Sequence, residues 1–254
     1  MGNQRQVQAK IAVITGASNP RDIGTAICRK FASQGINIFF TYWNSAPGWV
    51  EEFKQTITNM GVRCDGLNID LSNANAADEI LDSVETKLGF PSILVNNAAH
   101  SKSDGYLNLN SHTLDEHYAV NMRSTFLLCV EFARRFEKSN SDTGRIINLT
   151  SGQDLGPMPG ELAYAATKGA ISAFTRSLSQ ELAPLGITVN AVNPGPTDST
   201  WMTEEIRGQL LPKFPMGRIG LPEDVAQTIA FLASEEANWI TGQIINSEGG
   251  FIRG

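Results

Sequence analysis

The chain alternates short apolar runs with segments whose apolar residues recur at helical spacing. Residues 11–15 form a nearly continuous apolar run, which is typical of a strand buried on both faces of a sheet. Ile23, Ile27 and Phe31 then recur every fourth residue and give the next segment one apolar face. The same alternation continues to the C-terminus. It predicts parallel strands joined by right-handed crossovers, with helices on both faces of the sheet.

About seven strands follow from this pattern. They are predicted at residues 11–15, 36–41, 62–67, 93–95, 145–149, 187–192 and 243–246. Two of the intervening helices carry recognisable start signals. Ser72 is the expected N-cap of the third helix, and Thr113 with Glu116 fits a capping box that opens a long helix towards Lys138. We therefore predict a Rossmann-type, doubly wound α/β fold in one domain over residues 1–254.

Composition excludes several classes of protein. Of the 254 residues, 41% are hydrophobic and 18% are charged, which excludes a mainly disordered chain. The net charge of −6 argues against a nucleic-acid partner, and no apolar run is long enough to cross a membrane. The polar N-terminus lacks the apolar core of a signal peptide. Three scattered cysteines suit neither disulfides nor zinc, so we expect a reducing cytoplasmic setting and no metal site.

The first strand is followed by a loop suited to phosphate. Gly16 allows a tight turn and a close backbone approach, and the helix that begins near Ile23 presents free N–H groups to an anion. A glycine-rich turn alone is a weak signal, and an ordinary loop is the alternative.

A stronger signal lies in the second half of the chain. Tyr164 and Lys168 stand four residues apart, so they share one helical face. A cation near a phenol favours the phenolate and would bring its pKa towards neutral pH. Ser151 follows the fifth strand and can reach Tyr164 at the carboxyl edge of the sheet. Asn121 stands within an earlier helix, where asparagine is disfavoured unless it has a polar role.

From about residue 8 onward, these features resemble the short-chain dehydrogenase/reductase family. The family's phosphate loop usually reads Thr-Gly-x-x-x-Gly-Ile-Gly. Here the loop is two residues longer and Asp22 replaces the middle glycine, a length that is similar to the enoyl reductases of the same superfamily. Because a carboxylate would repel a pyrophosphate, we expect Asp22 to cap the helix N-terminus instead.

The resemblance implies a role for each residue of the catalytic set. Tyr164 would donate a proton to the substrate oxygen while a nicotinamide supplies hydride, and Ser151 would orient that oxygen. Lys168 would bind the nicotinamide ribose and lower the pKa of Tyr164. Asn121 would support a water path that resupplies the proton.

Cofactor contacts are implied by the same resemblance. The positions concerned are Gly16, Ser18, Asn19, Arg21, Asp22, Ile23, Gly24, Tyr42, Trp43, Asn44, Asp70, Leu71, Asn97, Ala98, Ala99, Tyr164, Lys168, Pro194, Gly195 and Thr197. The second strand ends without the carboxylate that NAD-specific sites use to hold the ribose 2′-hydroxyl. Arg21 could meet a 2′-phosphate, so NADP(H) is favoured over NAD(H).

Within the family, the chain looks most similar to the 3-oxoacyl-[acyl-carrier-protein] reductases. A carbonyl substrate, carried on acidic acyl carrier protein, would then need a basic patch, to which Arg134 and Arg135 could contribute. The apolar segment at about 199–220 corresponds to the family's substrate lid, and homotetramers are expected by analogy. Enoyl reduction, ketone or sugar oxidoreduction and a non-catalytic NADP sensor remain alternatives. Enoyl reductases separate their Tyr and Lys by six residues rather than three, and a sensor would predict a broken catalytic position.

Overall fold

Seven parallel strands form one sheet in a computed structural model that describes residues 9–139 and 141–253. The strands are β1 (Ile11–Ile14), β2 (Asn37–Tyr42), β3 (Cys64–Asn68), β4 (Ile93–Asn96), β5 (Gly144–Leu149), β6 (Ile187–Asn193) and β7 (Ile244–Asn246). Their order across the sheet is β3-β2-β1-β4-β5-β6-β7. The predicted doubly wound fold is therefore confirmed.

Eight α-helices accompany the strands in the described part of the chain. They are α1 (Ile23–Ala32), α2 (Trp49–Thr58), α3 (Ala76–Lys87), α4 (Ser111–His117), α5 (Ser124–Glu137), α6 (Leu162–Leu182), α7 (Glu204–Leu210) and α8 (Pro222–Ala233). One apolar core lies between the sheet and α1, α2 and α8. A second core lies between the sheet and α3, α5 and α6. Helices thus cover both faces of the sheet, and β1, β4, β5 and β6 are buried along their whole length.

The order of the strands determines where a ligand can bind. β1 pairs with β2 on one side and with β4 on the other, so the winding reverses direction between β1 and β4. The loops that leave the carboxyl ends of these two strands diverge to opposite faces of the sheet. A crevice opens between them, which is where open α/β sheets bind ligands.

The predicted start of the third helix is wrong by a few residues. α3 begins at Ala76 with Asn75 in the N-cap position. Ser72 lies in the turn before it, where its backbone N–H donates to Asp70 Oδ1 at 2.8 Å. The carboxylate of Asp70 stabilises this turn, so the helix begins only after it.

The predicted long helix from Thr113 also differs from the structure. Asn110 is the N-cap of α4, and its Oδ1 accepts the N–H of Thr113 at 3.0 Å. Thr113 is therefore the third residue of the helix rather than its cap. The helix is also interrupted by a π-helical segment, Tyr118–Arg123, before α5 begins. Such segments are rare and are frequently found at functional sites.

The N-terminus of α6 is capped from a distant loop. Its own N-cap residue, Glu161, makes no side-chain cap hydrogen bond. Asp104, in the loop after β4, accepts the N–H groups of Leu162 and Ala163 at 2.7 and 2.8 Å. The backbone N–H of Asp104 also donates to Gly160 O at 2.8 Å. The cap joins the β4 loop to the helix that carries Tyr164 and Lys168.

Residues 1–8 and residue 254 lie outside the described part of the chain, so the prediction about a signal peptide falls there. No helix of the described residues combines the length and apolar character that crossing a membrane requires.

The cap on α6 predicts a change in stability. Asp104→Ala removes an acceptor of helix N-terminal N–H groups, which should lower the free energy of unfolding by about 1–2 kcal/mol. Urea unfolding of this variant can be compared with Asp115→Ala, which changes an exposed carboxylate of α4 and should leave the free energy unaltered.

The difference in the free energy of unfolding between wild type and Asp104→Ala should depend on pH. Burial raises the pKa of Asp104, but hydrogen bonds from the N–H groups of Ala163, Gly105 and Leu162 outweigh burial and the pKa is lowered overall. The contribution of Asp104 is therefore present above the carboxyl pKa of the unfolded chain and is lost as the pH falls through the lower, folded-state pKa. The gap between wild type and Asp104→Ala should narrow as solutions are acidified. Equal stability of the two proteins at neutral pH would contradict this role.

Candidate active site

A cavity of about 1160 Å³ opens at the carboxyl ends of the strands. The loops after β1 to β6 supply its walls. Most of the predicted cofactor positions line it, together with Ser151, Tyr164 and Lys168. Five of the predicted positions do not line it, namely Asn19, Arg21, Gly24, Asn44 and Asn121.

The loop after β1 is built for close backbone packing. Gly16 has a φ of 75°, and a Cβ at this position would lie 2.7 Å from Ala98 Cα in the loop after β4. Asn97 Nδ2 donates to the carbonyl oxygens of Thr15 and Gly16 at 2.8 and 2.9 Å. Gly24 lacks contact with the cavity but packs directly against the carbonyl of Gly16. The two loops therefore form one rigid cradle beside the N-terminus of α1, which fits the pyrophosphate of a dinucleotide.

Asp22 and Arg21 behave differently from the sequence-based expectation. Asp22 occupies the N-cap position of α1, but its carboxylate makes no cap hydrogen bond with that helix. It instead accepts the Ser18 N–H at 3.1 Å and the Thr200 hydroxyl at 3.2 Å, and burial raises its pKa. Arg21 Nη2 donates to Asp198 Oδ1 at 2.9 Å, in the segment after β6. The expected contact of Arg21 with a 2′-phosphate gains no support, because Asp198 holds the guanidinium.

The end of β2 forms another wall of the cavity. Tyr42 and Trp43 line it, and Asn44 has a left-handed φ of 54°. Ser18 Oγ accepts the N–H of Trp43 at 3.0 Å, so the phosphate loop and the end of β2 are joined. Asp70 and Leu71, after β3, line the same wall. The residues at the end of β2 provide no carboxylate for a ribose 2′-hydroxyl.

Tyr164 and Lys168 lie one turn apart on α6. Lys168 is 2% exposed, and its Nζ donates to Leu149 O at the end of β5 with a distance of 2.8 Å. The same Nζ lies 5.5 Å from the centre of the Tyr164 ring. Ser151 follows β5 by two residues and hydrogen-bonds through its side chain to Tyr164. The fold thus brings together the side chains of Ser151, Tyr164 and Lys168.

Burial is the largest cause of the pKa shifts of Tyr164 and Lys168, and the expected lowering of the Tyr164 pKa by Lys168 stays a prediction. Burial raises the pKa of Tyr164 to about 12, against the opposing hydrogen bond of Ser151, and Glu161 raises it further. Burial also lowers the pKa of Lys168 to about 8. Desolvation is therefore the main cause of both shifts. Tyr164 is a protonated phenol at neutral pH, which is the form that can donate a proton.

Asn121 lies behind the catalytic residues, within the π-helical segment. It is completely buried. Its Oδ1 accepts the His100 N–H at 2.6 Å, and its Nδ2 donates to His100 O at 2.9 Å and to Thr167 Oγ1 at 3.1 Å. The Thr167 hydroxyl in turn donates to the carbonyl of Tyr164 at 2.8 Å. Asn121 thus ties the loop after β4 to the catalytic helix.

The segment at 199–220 has a small core of its own. Met202, Phe214 and Ile219 are buried against one another, with Ile206, Leu210 and Phe251 packed around them. Much of the apolar character of the segment predicted as a lid therefore serves this local packing. Trp201, which is about half exposed, does line the cavity. Pro194, Gly195 and Thr197 line it just before this segment.

Several residues that line the cavity or support Ser151 were missed from the sequence. Glu161 lines the cavity, and its position three residues before Tyr164 could have suggested this. Burial raises the pKa of the Glu161 carboxyl. Gln153 follows Ser151 by two residues, and its Oε1 accepts the Ser151 N–H at 3.0 Å. Arg253 reaches the cavity from the C-terminal segment, and no local pattern marks it.

The prediction of a basic patch at Arg134 and Arg135 is wrong. Arg135 lies among four carboxylates at distances of 2.7 to 3.4 Å, namely those of Asp78, Asp82, Glu85 and Glu131. Arg134 contacts Glu131 at 3.6 Å. The acidic residues come largely from α3, far away in sequence. This surface is therefore balanced or acidic, and an acidic partner finds no excess of cations at these two positions.

Known proteins resemble the chain over nearly its whole length. A family model described as "Enoyl-(Acyl carrier protein) reductase" matches residues 16–252. The "Uncharacterized oxidoreductase YjdA" of Bacillus subtilis (strain 168) is 76% identical over 247 residues, which are 97% of this chain and 98% of that protein. The 3-oxoacyl-[acyl-carrier-protein] reductase FabG of Aquifex aeolicus (strain VF5) is 33% identical over 96% of this chain and 98% of its own length.

Solved structures share the fold and the extent. A short-chain dehydrogenase/reductase from Serratia marcescens BCRC 10948 has a TM-score of 0.87 and 34% identity, with 96% of this chain and 98% of that chain covered. The acetoin dehydrogenase YohF from Salmonella typhimurium has a TM-score of 0.84 and 30% identity, with 96% of each chain covered. Together with the site formed by Ser151, Tyr164 and Lys168, these matches show that the chain is an oxidoreductase that belongs to the short-chain dehydrogenase/reductase family.

Proposed function

We propose that this protein reduces a carbonyl group to a secondary alcohol with NADPH, and that a 3-oxoacyl thioester is its substrate. The observation that carries the proposal is the meeting of Ser151, Tyr164 and Lys168 in one cavity, with the Tyr164 phenol held in its protonated form. A protonated phenol is suited to the reductive direction, in which the substrate oxygen gains a proton.

The side chains divide the work between them. A nicotinamide bound beside Pro194, Gly195 and Thr197 would supply the hydride. Tyr164 donates its proton to the oxygen of the carbonyl, and the Ser151 hydroxyl donates a hydrogen bond that orients that oxygen. Lys168 holds the ribose from its buried position, and Asn121 supports the resupply of protons to Tyr164. Closure of the segment at 199–220 over the cavity would exclude water.

A small hydroxyketone is the second candidate substrate. Four carboxylates surround Arg135, so this surface lacks the excess of cations that docking of acyl carrier protein would use. The structural relative from Salmonella typhimurium is titled an acetoin dehydrogenase. Enoyl reduction is less favoured, because Tyr164 and Lys168 lie one turn apart rather than at the wider spacing of enoyl reductases.

A panel of substrates tests the function. NADPH oxidation should be measured with a 3-oxoacyl thioester, a 2-hydroxyketone, a simple ketone, a sugar and an enoyl thioester. We expect the 3-oxoacyl thioester to be reduced with the highest kcat/KM. Tyr164→Phe should lower kcat by about 10²- to 10³-fold, the loss expected from one donor to a developing oxyanion, with little change in the Kd for NADPH. Reduction of the enoyl thioester alone, or full turnover in Tyr164→Phe, would contradict the proposal.

The proposal of NADPH rests on the end of β2, where the residues are Tyr42, Trp43 and Asn44. None of them is a carboxylate that would hold a ribose 2′-hydroxyl or repel a 2′-phosphate. We expect kcat/KM with NADPH to exceed that with NADH by about tenfold, or about 1.4 kcal/mol, because no carboxylate at the end of β2 repels the 2′-phosphate. Arg21→Ala is a useful second variant, because Asp198 holds this guanidinium in the structure. The ratio of kcat/KM with NADPH to kcat/KM with NADH should stay within about twofold of the wild-type ratio in that variant. Equal use of both cofactors by the wild-type enzyme would overturn the preference.

We also propose a single cofactor-binding domain that assembles as a homotetramer in the cytoplasm. Leu114, Tyr118, Leu127 and Leu162 are 41% to 46% exposed on or beside α4, α5 and α6, which supports assembly through these helices. The three cysteines are free thiols, in keeping with a reducing compartment. A monomer in sedimentation velocity would refute the tetramer.

A further inference from the structure

Arg253 reaches from the C-terminal segment to the wall of the catalytic cavity. Its Nη1 and Nη2 donate to the two carboxylate oxygens of Glu248 at 2.7 and 2.5 Å. Its guanidinium carbon lies 5.3 Å from the centre of the Phe251 ring. The side chains of Arg253 and Glu248 are only 23% and 10% exposed. The pair is therefore bidentate and shielded, unlike an ordinary surface ion pair.

The guanidinium packs directly on the loop that carries Ser151. A Cβ at Gly152 would lie 2.5 Å from Arg253 Nη2 and 3.1 Å from its Nε. A Cβ at Gly156 would lie 3.1 Å from Arg253 Cδ. Neither glycine has a left-handed φ, so the backbone does not require glycine at either position. The space taken by Arg253 is what excludes a side chain there.

Glu248 joins the same pair to the loop after β6. Its Oε2 also accepts Asn193 Nδ2 at 3.0 Å, and Asn193 Oδ1 accepts the N–H of Gly195 at 3.0 Å. A Cβ at Gly195 would collide with Glu248. The Arg253–Glu248 pair thus bridges two loops, of which one holds Ser151 and the other holds Pro194, Gly195 and Thr197.

We propose that Arg253 is a positioning residue, which holds the Ser151 loop in register with the loop after β6 through Glu248. The inference rests on the proposed carbonyl reduction at this site. A displaced Ser151 hydroxyl would orient the carbonyl less well for proton and hydride transfer, and a displacement of about 1 Å can cost on the order of 10²-fold in rate. The loss should therefore fall on kcat rather than on the binding of cofactor.

The first test compares two arginines that each donate hydrogen bonds through both Nη atoms. Arg253→Ala should lower kcat by about tenfold or more, with the Kd for NADPH changed by less than about threefold. Arg63→Ala is the matched control, because its two Nη atoms donate to the carbonyls of Leu88 and Lys87, away from the cavity and from the segment at 199–220. It should leave kcat unchanged. An unaltered kcat in Arg253→Ala would overturn the proposal.

Two further readouts separate positioning from a general loss of structure. Guanidinium ion at millimolar concentration should restore part of kcat in Arg253→Ala, relative to the same concentration of sodium chloride, and should leave Arg63→Ala unaffected. Gly152→Ala should lower kcat in the wild-type background but add little to Arg253→Ala, because the methyl group enters the vacated space. Absence of rescue together with additive losses would overturn the proposal.

Hydrogen exchange provides a readout that needs no substrate. Amides at residues 151–156 and 193–197 should exchange faster in Arg253→Ala than in wild type, and Arg63→Ala should match wild type in these two loops. A wild-type protein that reduces no carbonyl in the panel would refute the proposed function, whereas unchanged exchange in both loops would refute the bridging role of Arg253.

Discussion

The buried ammonium group of Lys168 is the constraint on which the rest of the site depends. Removing a cation from water costs several kcal/mol unless hydrogen bonds replace the lost hydration. Here the carbonyl of Leu149, at the carboxyl end of a central strand, accepts a hydrogen bond from Nζ. Burial also lowers the pKa of Lys168 to about 8, so the group still carries its charge at neutral pH and depends on that hydrogen bond. Lys168 therefore requires α6 to pack at one position against β5, and the same packing places Tyr164 in the cavity.

Polar contacts along α6 hold the helix in that position. Asp104 caps the N-terminus of α6, and Asn121 contacts the second turn of this helix through a hydrogen bond to Thr167. On the side of Ser151, Gln153 Nε2 donates to Ser172 Oγ at 3.1 Å, while its Oε1 accepts the N–H of Ser151. Each contact joins a loop at the carboxyl edge of the sheet to the same helix. A network of this kind keeps the catalytic side chains in register, in addition to the packing of Leu178 and Leu182 of α6 in the apolar core.

The parts of the fold that depend on local periodicity could be predicted from the sequence. The seven strands and the shared face of Tyr164 and Lys168 follow from spacing alone. Helix starts were less accurate, because Asn75 and Asn110 stand only three residues from the chosen caps, Ser72 and Thr113, and all four are good capping residues. The π-helical segment around Asn121 has no signature in the periodicity.

The partners of charged side chains could not be predicted. Arg21 meets Asp198 across 177 residues of sequence, and the carboxylates around Arg135 come largely from another helix. The burial of Tyr164 and Lys168 could not be predicted for a related reason. Spacing shows that a lysine is near the phenol, but only the packed structure shows that both groups are buried and that burial is the largest cause of both pKa shifts.

The phenol of Tyr164 allows the most direct measurement of this account. The absorbance of phenolate can be followed as a function of pH in the wild-type protein without added ligand, and the titration of Tyr164→Phe can be subtracted to isolate this tyrosine among the four in the chain. The account predicts no ionisation of Tyr164 up to about pH 10, the ordinary value for tyrosine, because burial raises its pKa to about 12. A midpoint near neutral pH would show that the charge of Lys168 outweighs burial and would contradict the account.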